Sequence, residues 1–195
     1  MLALARLHGW PLTGYHLPEH PVQQRMLHEV ARWSGVPQDE IAMATDGCGV
    51  VTFGAPLRSF AFAFARFAAA ARRNENGPAR IVQAMTKSPE IVAGTGRLDT
   101  ELMRATAGRV FVKVGAEGIY FAGVPGAELG IALKAEDGAQ RAAEPALLAV
   151  LRGLGLLSDD ELAGLSRFAE PSIQNTRGET VGAVRAVIRL EAASG

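Results

Sequence analysis

The sequence predicts an α+β fold in which helices pack on an antiparallel sheet. Three apolar runs in the middle of the chain, at residues 110–114, 118–124 and 129–135, are separated by short turns that contain glycine. This spacing is typical of an antiparallel meander. Helical periodicity lies on both sides of the meander, without the strand–helix alternation of a βαβ repeat. Because 195 residues can enclose one hydrophobic core, a single domain over residues 1–195 is expected.

The first third of the chain predicts two helices and a strand. Residues 2–8 have the pattern of a short helix that Gly9 ends. Residues 20–34 carry apolar side chains at helical spacing, with a proline in the first turn and a glycine directly after the last. Residues 41–45 are a short apolar run that leads into a glycine-rich turn, which indicates a strand.

The rest of the chain predicts helices around the meander and a last strand. Helical patterns occur at residues 56–73, 78–87, 139–154 and 159–168. The first of these is apolar on most sides and is therefore expected to be buried. Asp99 is expected to cap a short helix that ends at Ala107. An imperfect alternation over residues 181–190 predicts the final strand.

The composition excludes several classes of protein. Twenty basic and twenty acidic residues give no net charge, so the surplus of cations that nucleic-acid binding requires is missing. No apolar run approaches the roughly 20 residues of a membrane helix, and no secretory signal pattern is present at the N-terminus. The single cysteine cannot form an intrachain disulfide, which suits a reducing compartment. A cytoplasmic protein with neither a nucleic-acid nor a membrane partner is expected.

The turn at residues 45–49 combines a carboxylate, Asp46, with the only thiol, Cys48. Thiolate and carboxylate both bind cations, which favours a metal or substrate site. The alternative is a turn in which the aspartate caps its own backbone beside a small, partly buried thiol. A third interpretation makes Cys48 a nucleophile, although no histidine lies at an informative spacing. The residues alone leave these interpretations open.

Lysine is rare in this chain, and two of the three lysines lie in predicted strands. Arginine is the usual cation, and lysine occurs only at positions 87, 113 and 134. Lys113 stands between two valines, so its charge must face solvent or lie paired in a cleft. In a cleft it could act on a carboxylate or an acyl-transfer intermediate, whereas an outward lysine on a half-exposed strand is the alternative. Lys134 has the same ambiguity.

Short motifs spread over the chain form a recognisable series. In order they are His8-Gly9-Trp10-Pro11, His20-Pro21-Val22-Gln23, Ala44-Thr45-Asp46-Gly47-Cys48-Gly49, Gly94-Thr95-Gly96-Arg97, Lys113-Val114-Gly115-Ala116-Glu117-Gly118, Gly130-Ile131-Ala132-Leu133-Lys134 with Asp137-Gly138, and Asn175-Thr176-Arg177-Gly178 with Val181-Gly182. Together they resemble the bacterial L-asparaginases of the rhizobial type, the L-asparaginase II family. Each motif is short, but their order and spread cover nearly all of the chain, which makes the resemblance specific.

The resemblance implies a fold similar to serine β-lactamases and glutaminases, and hydrolysis of L-asparagine to aspartate and ammonia. In that family a serine of a Ser-x-x-Lys motif is the nucleophile, assisted by a second Ser–Lys pair. Zinc is held by the Cys and Lys of a Cys-Ser-Gly-Lys-His segment and by the Cys of the Asp-Gly-Cys-Gly turn. Cys48 matches this last zinc ligand, and Asp46 beside it is expected to contact substrate. Lys113 matches the strand lysine of the catalytic centre. Lys134, Asp137 and Arg97 stay open between a cleft and a structural role.

The resemblance also places the serine nucleophile and the other zinc ligands before the stretch that matches Met1. The chain is therefore expected to be the C-terminal portion of an asparaginase-like domain, inactive alone and without bound zinc. Zinc and L-asparagine would belong to the complete enzyme. The alternative is a non-catalytic folded remnant that serves as a binding or dimerisation module, because absent strands would leave an unpaired sheet edge. A homo-oligomer is expected.

Overall fold

The computed structural model describes residues 1–192 and confirms the α+β fold class. Its strands form three small antiparallel sheets, with strand orders β1-β2, β3-β4-β5 and β6-β7. The chain divides into two compact units, Met1–Ala63 and the part that begins at Phe64. Within residues 1–192, no helix is both long enough and apolar enough to cross a membrane.

The first unit contains two helices, a hairpin and the start of a third helix. Its elements are α1 (Leu2–Leu7), α2 (Pro21–Ser34), β1 (Ala42–Thr45), β2 (Val51–Gly54) and the first turns of α3 (Leu57–Arg72). His20 precedes α2 as its N-cap, and Gly35 ends α2 in the left-handed conformation, with φ of 73°. Glycine adopts this conformation without the steric cost that a Cβ would bring. The predicted helices and the strand at residues 41–45 are thus confirmed.

The segment before α2 is tied to the start of that helix. The Nε2 of His20 lies 2.9 Å from the carbonyl oxygen of Pro11, and Gln23 Nε2 donates to the carbonyl oxygen of Tyr15 at 2.8 Å. The rings of His8 and Trp10 stack with centroids 4.6 Å apart. Two of the short motifs of the sequence, at residues 8–11 and 20–23, therefore make local structural contacts.

The second unit contains the central sheet with helices before and after it. Its elements after α3 are α4 (Asn76–Lys87), α5 (Pro89–Ala93), α6 (Leu98–Ala105), β3 (Phe111–Val114), β4 (Ile119–Val124), β5 (Leu129–Lys134), α7 (Gln140–Gly153), α8 (Asp159–Gly164), α9 (Ser166–Ala169), β6 (Ser172–Gln174) and β7 (Thr180–Ala183). The predicted meander is confirmed, since β3 pairs with β4 and β4 with β5, both antiparallel.

One face of the central sheet forms the core of this unit. The register aligns Val112 with Ala122 and Ala122 with Ile131, so the three side chains lie on one face. They belong to a buried cluster with the apolar residues of α6 and α7, among them Leu102, Met103, Leu147, Leu148 and Leu151. Full burial of a leucine contributes about 1.5–3 kcal/mol, so each of these buried leucines stabilises the unit.

The opposite face of the sheet packs on aromatic residues of α3. Phe64 stacks on Phe111 and Phe121, with ring centroids 5.8 and 5.1 Å away. The Phe111 ring lies over Gly123, its cross-strand partner, at a place where a Cβ on Gly123 would overlap the ring. Glycine on β4 thus makes room for the aromatic contact.

Several predicted boundaries and burials were wrong. The predicted strand at residues 181–190 is a strand only in β7, because its partner β6 has three residues and offers no longer ladder. Helix α4 begins at Asn76 and includes Pro78 in its first turn, where a missing N–H costs no hydrogen bond. The predicted burial of α3 fails on one side, since Phe62 is 55% exposed.

Candidate functional site

Asp46 and Cys48 lie in the tight turn that joins β1 to β2. Asp46 N–H donates to the carbonyl oxygen of Val50, and Gly49 N–H donates to the carbonyl oxygen of Asp46, both at 2.8 Å. The Asp46 carboxylate accepts Gly47 N–H through Oδ1 at 2.8 Å and faces the Cys48 thiol through Oδ2, with Sγ 3.6 Å away. Both side chains are exposed. The aspartate therefore caps its own backbone and still presents one oxygen beside the thiol.

This turn does not form a zinc site by itself. Zinc takes three or four protein ligands in most sites, and the turn supplies one thiol and one carboxylate. Over residues 1–192, no group of three or more His, Cys, Asp or Glu side chains is arranged to hold a metal ion.

Lys113 lies in β3, on the sheet face that also carries Phe121. The register pairs Lys113 with Phe121 and Phe121 with Ala132, so Lys134, two residues further along β5, shares this face. Both lysines are exposed. Lys113 Nζ donates to the carbonyl oxygen of Val114 at 2.6 Å, and Lys134 Nζ donates to that of Ala135 at the same distance. Lys113 belongs to the second compact unit, whereas Asp46 and Cys48 belong to the first.

Asp99 is a buried carboxylate that the sequence did not reveal as part of this region. It has no exposed surface and is the second residue of α6, whose N-cap is Arg97; the predicted capping role was wrong. Its Oδ1 accepts the N–H of Val114 at 2.8 Å, so it contacts the residue after Lys113. A charged residue within Leu98-Asp99-Thr100, directly before a helical apolar pattern, is the sequence signal that could have drawn attention to it.

Tyr120 and Glu144 lie next to Asp99. Tyr120 is fully buried, and its hydroxyl is 3.5 Å from Glu144 Oε1, which makes a weak hydrogen bond. Burial, followed by the charges of Asp99 and Glu144, raises the pKa of Tyr120 far above its ordinary value. The second Asp99 oxygen, Oδ2, has no hydrogen-bond partner of normal geometry among the described residues.

The pKa of the Glu144 carboxyl is also raised. Burial is the main cause, Asp99 adds to it, and the Arg97 guanidinium opposes it. The group therefore binds its proton more tightly in the folded protein than in the unfolded chain. Asp99, Tyr120 and Glu144 form one acidic cluster under the core face of the sheet.

Asp137, whose role the sequence left open, makes structural contacts in the second unit. It accepts Ala139 N–H at 2.9 Å and pairs with Arg141 at 2.7 Å at the start of α7.

A groove of about 820 Å³ lies beside α7, α8 and α9 of the second unit. Its charged lining residues are Arg152, Asp159, Arg167 and Glu170.

The family comparison covers nearly the whole chain. The sequence profile of the L-asparaginase II family matches residues 1–186, which include the Asp46–Cys48 turn, β3 with Lys113, and Asp99. No curated protein matches the chain at a significant level. Because the profile spans far more than half of the sequence, the chain belongs to the L-asparaginase II family.

Proposed function

We propose that this chain acts in the hydrolysis of L-asparagine to L-aspartate and ammonia. The observation that carries the proposal is the match of the L-asparaginase II family to residues 1–186. In this reaction the bond between the side-chain carbonyl carbon and the amide nitrogen breaks. Water supplies the oxygen of the new carboxyl group, and the nitrogen leaves with an added proton as ammonia.

Lys113 is proposed to act on the reacting amide. Its ammonium carries three N–H donors, of which one is directed at the Val114 carbonyl, and the side chain is exposed at the end of a strand. An ammonium held in this way can stabilise the oxyanion that forms when the amide carbon is attacked. It can also deliver a proton to the leaving nitrogen. Either role needs a side chain fixed on a rigid element, and a strand provides one.

The Asp46–Cys48 turn is proposed to hold substrate and metal. The exposed Asp46 carboxylate is suited to the α-ammonium group of asparagine, because an opposite charge and a hydrogen-bond donor meet there. Cys48 is proposed as one thiolate ligand of a zinc ion in the complete enzyme, where zinc would polarise a bound oxygen. The support for this proposal is that Asp46 Oδ2 and Cys48 Sγ lie 3.6 Å apart.

The nucleophile is proposed to be absent from these 195 residues. The resemblance implies a serine in a Ser-x-x-Lys motif, and no serine of this sequence is followed by lysine at the third position. The chain alone is therefore expected to release no ammonia from asparagine. Residues that supply this motif would have to come from a further stretch of polypeptide.

The experiment compares the 195-residue chain with an upstream-extended form. Genomic DNA before the Met1 codon is read for in-frame codons for Cys-Ser-Gly-Lys-His, and the extended protein is made if they are found. Ammonia release is then measured with L-asparagine and with L-glutamine. The proposal is supported if the extended protein releases ammonia from asparagine and the 195-residue chain does not. Asparaginase activity of the 195-residue chain would contradict the proposed absence of a nucleophile.

The role of Lys113 is tested in the extended protein. Lys113→Ala should lower kcat on asparagine by about 10²–10⁴-fold, the range for loss of a proton-transfer group. Lys134→Ala is the matched control, because Lys134 lies on the same sheet face and makes the same type of carbonyl contact. Equal activities of the two variants would remove Lys113 from the mechanism.

A second candidate function is a non-catalytic module that associates with a further copy of itself. The observation that favours it is the exposure of apolar residues near the C-terminal hairpin, with Val181 62% and Val187 93% exposed. Exposed apolar surface next to a short hairpin is a common site of association. A stop codon or frameshift upstream of Met1, together with a dimer in light scattering, would support this function, whereas a monomer would argue against it.

A further inference from the structure

Asp99 has a buried carboxyl group that has no part in the hydrolysis described above. Its side chain has no exposed surface, and burial of a carboxylate is costly unless hydrogen bonds or opposite charges compensate. The first turn of α6 offers partial compensation, because the helix N-terminus carries positive charge. The hydrogen bond from Val114 N–H, at 2.8 Å, adds to this compensation.

This hydrogen bond lies on the open edge of the central sheet. β3 is an edge strand, and Gly115 N–H donates across to the carbonyl oxygen of Ile119. Because the direction of backbone groups alternates along a strand, the N–H and C=O of Val114 point away from β4. The N–H is bound by Asp99 and the C=O by the Lys113 ammonium. The outward-facing N–H and C=O of Val114 are therefore bound by two charged side chains, in the place where a further strand would otherwise bind them.

We propose that Asp99 is a positioning residue for Lys113. By binding the Val114 N–H, it restrains the residue whose carbonyl, in the next peptide group, receives the Lys113 ammonium, and so helps to set where that ammonium lies at the end of β3. The proposal rests on the proposed function, which gives Lys113 a role in amide hydrolysis. Asp99 itself lies on α6 beside the edge of β3 and acts through the backbone, not on the substrate.

Lys134 provides an internal comparison. Its Nζ donates to the carbonyl oxygen of Ala135 at 2.6 Å, which is the same contact that Lys113 makes with Val114. The Ala135 amide, however, donates to the backbone carbonyl of Gly118 at 2.9 Å. The two lysines thus differ in what binds the N–H of the residue that they contact, which is the Asp99 carboxylate at Val114 and the backbone carbonyl of Gly118 at Ala135.

The test uses the 195-residue chain and requires no enzymatic activity. Its three lysines are converted to ¹³C-dimethyl-lysine, which retains one N–H donor, and their methyl signals are assigned by Lys87→Arg, Lys113→Arg and Lys134→Arg. Spectra are compared for the wild type, Asp99→Asn, which keeps an acceptor oxygen, and Asp99→Ala, which does not. Amide hydrogen exchange is measured at Val114 and Ala135 in the same proteins.

In Asp99→Ala the Lys113 signal should move towards that of an unrestrained lysine, and Val114 N–H should exchange roughly tenfold or more faster. Asp99→Asn should give intermediate values, since its neutral oxygen still accepts the hydrogen bond. The Lys87 and Lys134 signals and the Ala135 exchange rate should stay unchanged. If Asp99→Ala does not fold, Asp99→Asn decides: faster Val114 exchange than in the wild type, with a shifted Lys113 signal and an unchanged Ala135 rate, supports the proposal.

Two results would overturn the positioning role. One is an unchanged Lys113 signal in folded Asp99→Ala, or an unchanged Val114 exchange rate in Asp99→Asn if the alanine variant is unfolded. The other is an equal shift of all three lysine signals, which would indicate general loosening of the fold. Neither result depends on enzymatic activity. Failure of the proposed function would instead be seen in the activity assay of Lys113→Ala, so the two failures can be distinguished.

Discussion

Asp99 and Lys113 bind the two backbone polar groups of the same residue, Val114. The carboxylate accepts its N–H at 2.8 Å, and the ammonium donates to its carbonyl oxygen at 2.6 Å. An edge strand otherwise leaves these groups to solvent or to another chain. Both outward-facing groups of Val114 are therefore bound by side chains of the chain itself. Through Val114, the cluster of Asp99, Tyr120 and Glu144 is connected to the exposed lysine of the proposed site.

Tyr120 should make the protein less stable at alkaline pH. Its pKa is raised by burial and by the neighbouring carboxylates, so above about pH 10 the unfolded chain loses the phenol proton while the folded protein retains it. Stability is fully present below the unfolded pKa and falls as pH rises, by up to about 1.4 kcal/mol per pH unit. Urea denaturation of the wild type and Tyr120→Phe between about pH 9 and pH 11 measures this.

The phenylalanine variant should lose about 1 kcal/mol near neutral pH, because the weak hydrogen bond to Glu144 is removed. Its disadvantage should shrink as pH rises above about 10, since a phenylalanine ring has no proton to lose. Tyr15 is present in both proteins and cancels in the difference. A constant difference at all pH values would show that the Tyr120 hydroxyl ionises as readily in the folded protein as in the unfolded chain.

Glu144 should give a pH dependence of stability opposite to that of Glu161. Burial raises the pKa of Glu144 above 4.5, so its contribution is fully present below the unfolded pKa and is lost as pH rises through the folded pKa. Glu144→Gln should therefore gain stability relative to the wild type between about pH 4 and pH 7. Urea denaturation at several pH values in this range measures the gain.

Glu161→Gln is the control with the opposite sign. The backbone N–H of Ser158, and then Arg109, lower the pKa of Glu161, so its stabilising effect is present above the unfolded pKa and is lost as pH falls through the folded one. This variant should be less stable than the wild type at pH 7, with a difference that closes on acidification. The same slope for both variants would contradict the assigned pKa directions.

The sequence was sufficient for elements that depend on local patterns. The meander is marked by apolar runs separated by short glycine turns, and the turn at residues 45–49 by its two glycines. The contact between Asp99 and Val114 could not be predicted in this way, because the two residues lie 15 positions apart in the chain. The end of the predicted strand at residues 181–190 depended likewise on a separate partner, β6, which proved to be three residues long.

Gly123 should not tolerate a side chain while Phe111 is present. A Cβ at this position would overlap the Phe111 ring, which Phe64 packs against and whose residue is 2% exposed. Gly123→Ala should cost about 1–3 kcal/mol in the free energy of unfolding, the range for an overpacked core. Gly126→Ala is the control, because nothing lies within 4 Å of its Cβ position.

The cause is tested with a double-mutant cycle. Phe111→Leu removes the ring above Gly123 and keeps an apolar side chain, so the cost of Gly123→Ala should fall by about 1 kcal/mol or more in this background. Chemical denaturation of the four proteins gives the coupling free energy. Additive effects would show that the alanine methyl is resisted by something other than the ring.

His20 should stabilise the first unit through two hydrogen bonds that only a neutral ring in one tautomer can make together. Its Nδ1 accepts Val22 N–H at 3.1 Å as the cap of α2, and Nε2 then donates to the Pro11 carbonyl at 2.9 Å. His20→Ala should lose about 1–2 kcal/mol, since a helix cap and a loop contact are both removed. His20→Asn should lose about half as much, because asparagine caps the helix but is too short to reach Pro11.

His28→Ala is the control for this series, because His28 lies on the exposed side of the same helix. It should change the free energy of unfolding by less than about 0.5 kcal/mol, as surface substitutions usually do. Urea denaturation, followed by the tryptophan fluorescence of Trp10 and Trp33, reports on this unit directly because both tryptophans lie within it. If His20→Asn were as unstable as His20→Ala, the Pro11 contact would carry the stabilisation and the helix cap would contribute little.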